Sequence, residues 1–182
     1  MMNKLVAITL TLLAACSSKT SQNLDSFVEK AKDQDLSVLS ALTLKPRGTH
    51  EDGSYKVHKI QYNRKEAEPL TIPVFDGKTS DREWLDSSSF QIREFSVVKG
   101  IDTEGVRAFS DSVVNIYKYL GVISIESYPY LGDFIIFQVN PKEQVIYVRD
   151  TSEVTYPFWK KFFREAEPRR KHWYYREKAL DG

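Results

Sequence analysis

A single cysteine, at position 16 of 182 residues, constrains this chain more than any other feature. A lone cysteine cannot close a disulfide within its own chain; it pairs between chains or is modified. Whatever folds beyond it is held together by burial and hydrogen bonding alone. Hydrophobic residues make up 41% of the sequence and aromatics 13%, too rich for a disordered chain and enough to build a core. No internal repeat and no low-complexity tract interrupts it.

The periodicity of that apolar content predicts mixed secondary structure. Ser21 can cap a helix carrying Leu24, Phe27, Val28 and Ala31 at helical spacing. Leu36, Val38, Leu39 and Leu42 predict a second short helix, ended before Pro46. "YKVHKIQY" and "FQIREFSVV" read as strands whose alternation slips, which predicts β-bulges near His58 and Arg93. "LTIPVF" lies between them, and Pro73 confines it to a sheet edge. Residues 103–120 are the clearest helix, with Val106, Phe109, Val113, Ile116, Tyr117 and Leu120 in one stripe, Asp102 or Thr103 as cap and Gly121 as stop. That stripe is expected to pack on a sheet containing Ile136 and Ile146. "VISIES" is the next strand, followed by "DFIIFQV" and "QVIYVRD", a buried antiparallel hairpin joined by the five-residue turn "NPKEQ". Pro157 opens an aromatic helix ending before Pro168, and "HWYYR" adds a last strand. Strands joined by turns, with helices grouped around them, predict an α+β fold: one domain over 21–182, with a mainly antiparallel sheet of about five to seven strands, N-terminal helices, a middle helix and a C-terminal aromatic helix.

The opening residues have another fate. Lys4 precedes an apolar run from Leu5 to Ala15. It is too short to span a bilayer, which takes roughly 20 apolar residues, but it matches the charged and apolar regions of a secretory signal peptide. The run ends in Leu13-Ala14-Ala15-Cys16, which resembles the lipobox of bacterial lipoproteins. The resemblance covers about residues 3–17. It implies removal of residues 1–15 and acylation of Cys16, with residues 16–20 as a short tether. Ser17, where the enterobacterial family places aspartate to retain a protein in the inner membrane, favours the outer membrane. Several acyl chains anchor a protein stably where one holds it only marginally.

Charge excludes one class of partner. The chain has 26 basic and 25 acidic residues, and Lys4 is the one charge within residues 1–15. The mature chain is therefore balanced, which gives no reason to expect nucleic acid.

Catalytic patterns are sparse. Serines occur without GxSxG or SxxK, and no glycine-rich phosphate loop is present. His50, Glu51, Asp52 and His58 lack the spacing of a metal site, and Asp81, Glu83 and Asp86 lack that of a calcium loop. No cofactor and no metal is expected. Two stretches stand out as partner contacts. Residues 76–89 read as a long loop with Trp84 and Leu85 in its middle, which either plug the loop onto the core or present an exposed contact. Residues 151–182 carry eight basic and five acidic side chains; here Lys160, Lys161, Arg169, Arg170 and Lys171 either keep an aromatic helix soluble or face anionic lipid or a cell-wall polymer. The expected function is a lipid-anchored envelope lipoprotein with a non-catalytic binding or assembly domain, whose partner is a protein, a lipid or a glycan. An enzyme acting on envelope material and an immunity factor against a toxin are the alternatives.

Overall fold

The computed structural model describes residues 24–49, 56–75 and 80–178. The chain divides into two compact units, Met1–Asp35 and Leu36–Gly182. In the first, residues 24–32 are helical (α1), and Leu24, Phe27, Val28 and Ala31 are buried at the expected spacing. Ser21, the expected cap, lies outside the described residues.

The second unit is built on an antiparallel sheet. Among the described residues its strands are β1 (Leu42–Leu44), β2 (Lys59–Tyr62), β3 (Leu70–Pro73), β4 (Ser124–Glu126), β5 (Phe134–Asn140), β6 (Glu143–Val148) and β7 (Trp173–Glu177). They are ordered β3-β2-β1-β4-β5-β6-β7, and every pairing is antiparallel. The helices are α2 (Asp81–Asp86), α3 (Ile92–Lys99), α4 (Thr103–Leu120) and α5 (Pro157–Glu165), with short 3₁₀ turns at Leu36–Leu39 and Thr151–Glu153. The α+β class is as the sequence predicts, and β3 is an edge strand. Its outer side is not bare: the Gln91 amide N–H donates to the Thr71 carbonyl (2.8 Å), and the Thr71 N–H donates to Gln91 Oε1 (2.7 Å). A side chain thus occupies a place where a further strand could add.

Several expectations fail at particular elements. "FQIREFSVV" is helix α3, not a bulged strand: Ile92 and Phe95, three residues apart, are buried, whereas Val97 is 82% exposed. Gly100 ends this helix in a left-handed conformation at φ 66°, which glycine takes without a Cβ penalty. There is no bulge near His58 either. The register of β2 on β3 runs unbroken from Lys59 to Tyr62, because Val57 precedes the strand rather than continuing it. Leu42 belongs to β1, so only Leu36–Leu39 coil. The hairpin turn shrinks to Pro141 and Lys142, since Asn140 pairs with Glu143 and the register shifts between Gln138 and Asn140. The 76–89 stretch contains α2.

The two sheet faces are covered by different helices. Register places Leu42, Tyr62, Ile60 and Ile72 on one face. There Phe95 of α3 meets Tyr62 edge-on at 5.4 Å and Phe109 of α4 at 5.1 Å. Ser110 Oγ donates to the Pro73 carbonyl (2.9 Å), which pins α4 over this end. Asp102 caps α4 by accepting from the Gly105 N–H, and Gly121 closes it at φ 65°. Ile136 and Ile146 point to the other face. They join Phe134, Val148, Val154, Trp159 and Phe163 in a cluster under α5. The sheet over which α4 lies does contain Ile136 and Ile146, as expected, but alternation along β5 and β6 turns those two residues to the face opposite Leu42, Ile60 and Ile72.

Candidate functional site

The face bearing α5 changes character along the sheet. Toward Phe134 and Val148 it is apolar; toward β4, β1 and β2 the same parity brings a polar row to this face, with Gln138, Ser124 and Thr43 buried and Glu126 and Gln61 part-exposed. Neighbours in adjacent strands lie about 5 Å apart across a ladder, so these side chains meet one another. Lys45, Ser124, Glu126, Gln138, Pro141 and Lys178 line a shallow depression of about 540 Å³.

Its polar groups are ordered by a hydrogen-bonded chain. Asn63, 5% exposed, donates from Nδ2 to Thr43 Oγ1 (2.9 Å) and to the Ser127 carbonyl (2.7 Å). Thr43 also bonds the Tyr128 phenol. The phenol in turn donates to Glu126 Oε2 (2.8 Å), while Lys45 Nζ lies 3.4 Å from Glu126 Oε1. Burial, followed by the Glu126 contact, pushes the Tyr128 phenol up to about 12. A second chain borders the depression on its other side. Arg176 Nη1 donates to Gln144 Oε1 (3.4 Å), Gln144 Nε2 donates to Gln138 Oε1 (2.9 Å), and Gln138 Nε2 donates to the carbonyls of Asn140 and Glu143. Glu143 is also held by Asn140 Nδ2 and by the Tyr175 hydroxyl (2.9 Å); burial, followed by this Glu143 contact, raises the Tyr175 phenol.

The raised phenols have a measurable consequence. Both neutral tyrosines are favoured in the folded state, so their contribution to stability is full below about pH 10, the ordinary tyrosine value, and falls as pH rises through the folded values. A spectrophotometric titration should show Tyr128 ionising near pH 12, after the ordinary tyrosines. Tyr128→Phe should remove one late-titrating group without changing the rest.

The candidates read from sequence fall elsewhere. Cys16 and His50 lie outside the described residues. The Trp84 indole is wedged between Phe75 (5.9 Å) and Phe90 (5.3 Å), with its Nε1 buried and unpartnered among the described residues; Leu85 is half-buried. Glu83 is spent on structure: its carboxylate accepts from the Ser80 N–H (2.7 Å) and Ser80 Oγ accepts from the Glu83 N–H (3.3 Å), a capping box for α2. Hydrogen bonding to the carboxylate from the Ser80 side chain, then from the Ser80 N–H, holds the Glu83 carboxyl below its usual range. No three His, Cys, Asp or Glu side chains gather as a metal site among the described residues.

The basic residues do not share one surface. Lys160 and Lys161 are exposed on α5. The Arg169 guanidinium lies 5.8 Å from the ring centre of Tyr175, which register puts on the opposite sheet face. Arg170 sits in the turn that bridges to Trp173, half-buried, with Lys171 exposed beside it. The charge wraps the β7 edge instead of forming a flat patch. No protein-family model, curated protein or solved structure matches this chain.

Proposed function

We propose that this chain is a lipid-anchored protein of the bacterial envelope, held by acyl chains on Cys16, whose folded part is a non-catalytic binding domain. The observation that carries the anchor is the ordered succession of Lys4, the apolar run and Leu13-Ala14-Ala15-Cys16. Among the described residues no helix is long and apolar enough to cross a membrane, so the lipid on Cys16 is the attachment this reading requires. What supports binding over catalysis is the form of the polar site. It is a broad, shallow depression whose carboxylate, amides and phenol are bonded to one another. A small-substrate enzyme more often encloses its ligand in a deep, mostly apolar cleft with a few converging polar groups.

Cys16→Ser tests the anchor. In the host cell the variant should accumulate as uncleaved precursor or as soluble protein, against a membrane-bound mature wild type. Membrane fractionation and intact mass decide the matter. A serine variant that stays with membranes at the mature mass excludes this reading.

A further inference from the structure

Six large apolar side chains are exposed among the described residues, and three of them, Tyr130 (49%), Tyr156 (51%) and Phe158 (47%), belong to two segments that are tied together. The Thr155 N–H donates to the Leu131 carbonyl (2.9 Å) and Thr155 Oγ1 to the Tyr130 carbonyl (2.8 Å). Tyr128 extends the group, its ring 5.6 Å from that of Tyr130. Both ends of this aromatic group connect to the depression. Tyr128 reaches it through Glu126 (2.8 Å). Phe158 reaches it through Arg176, whose guanidinium lies 5.0 Å from the Phe158 ring and leads on through Gln144 to Gln138.

We propose that these aromatics and the depression beside them form one binding site for a saccharide chain. The inference deepens the binding-domain reading above and rests on it. A pyranose ring has an apolar C–H face and a polar edge of hydroxyl or acetamido groups. The π face of an aromatic ring carries partial negative charge that attracts such C–H groups. Amide and carboxylate side chains at the level of the ring's edge supply both donors and acceptors. Tyr130, Tyr156 and Phe158 provide the faces; Glu126 and Gln144, both part-exposed, provide the edge partners, and the buried Gln138 holds Gln144 in place beneath them. The centre of a protein–protein contact is depleted in charge and buried continuously, which a floor holding Glu126 beside Lys45 does not offer. The open form of the depression suits a polymer that lies along a surface.

The test uses the full-length acylated protein in detergent, with insoluble chitin and a soluble N-acetylglucosamine hexamer as probes. Binding should persist between about 0.1 M and 1 M salt, where the Debye length shrinks from about 10 Å to about 3 Å. The Tyr130→Ala/Tyr156→Ala/Phe158→Ala variant should lose at least about tenfold in affinity with its melting temperature near wild type. The single Tyr130→Ala and Phe158→Ala variants make the same comparison with less risk to folding. Absence of binding to both probes, or equal binding by these variants, overturns the saccharide site. If soluble Cys16→Ser protein, which carries no acyl chains, instead sediments with vesicles containing anionic lipid, only at low salt, and Lys160→Glu/Lys161→Glu abolishes this, the saccharide site falls while the binding-domain reading stands. Membrane retention of Cys16→Ser at the mature mass would sink the anchored reading instead.

Discussion

Phe134→Ala should lower the unfolding free energy by about 3–5 kcal/mol, the range for truncating a buried phenylalanine. Phe134 is 1% exposed and holds the middle of the cluster under α5. Its ring lies 5.0 Å from Trp159 and 5.6 Å from Phe163, the two buried residues of that helix. The site cannot easily collapse around the missing ring. Its backbone is fixed by the β5–β6 ladder opposite Val148, and Trp159 is also held edge-on by Phe162 at 5.6 Å. A cavity that does not close adds to the lost transfer free energy. Against a total stability of about 5–15 kcal/mol for a typical domain, the variant should be close to unfolding at physiological temperature. Phe158→Ala on the same helix is the internal control. Its side chain is 47% exposed, and the change should stay below about 1 kcal/mol. Urea titration of both variants measures the pair. A loss below about 1 kcal/mol for Phe134→Ala, within the range of a surface change, would mean that α5 is not seated on the sheet.

The elements legible in sequence are those where several local signals agree. In α4 the stripe of Val106, Val113 and Leu120, the Asp102 cap and the Gly121 stop coincide, and the structure realises all of them. The β5–β6 hairpin is equally plain, because two apolar runs flank a single Pro-Lys turn. In α3 the signals conflict. Phe90, Ile92, Phe95 and Val97 yield a slipped alternation, and valine favours strands. Within α3 itself, however, Ile92 and Phe95 are the buried residues, and Val97 and Val98 point to solvent. For α2 the missed signal was present as Ser80-Asp81-Arg82-Glu83, the capping-box spacing.

The candidate site was less legible because it has no local motif. Thr43, Glu126, Gln138 and Gln144 lie on separate strands and come together only through register. Within each strand, a polar residue alternating with apolar ones is the ordinary sign of a solvated face. The exposed aromatics are hidden in the same way. Tyr130 and Tyr156 are 26 positions apart in sequence, and the Thr155 hydrogen bonds bring their segments together. Whether an aromatic side chain is buried, as Trp159 is, or exposed, as its neighbour Phe158 is, depends on the sheet beneath α5.

Gly132 is where those two segments touch, and Gly132→Ala is expected to combine a large loss of stability with a loss of the aromatic site. Its φ of 137° lies where L side chains rarely rest, and a Cβ added there would come within 2.7 Å of the Val154 Cα. The obstacle is backbone, so no rotamer change relieves it. Residues 153–155 would have to move away from 131–132. That would weaken the Thr155–Leu131 and Thr155–Tyr130 hydrogen bonds and pull Val154, 1% exposed, out of the cluster under α5. Strain of this kind costs about 1–3 kcal/mol, and the displaced core adds to it. Gly121→Ala separates the two effects. Gly121 has φ 65° with open space where a Cβ would go, so its loss should be the conformational penalty alone, about 1–2 kcal/mol. Thermal unfolding should therefore rank Gly132→Ala clearly below Gly121→Ala. Saccharide binding, measured at a temperature where both remain folded, should fall for the first and hold for the second. Equal destabilisation would show that the 128–132 segment does not close on 153–156 as described.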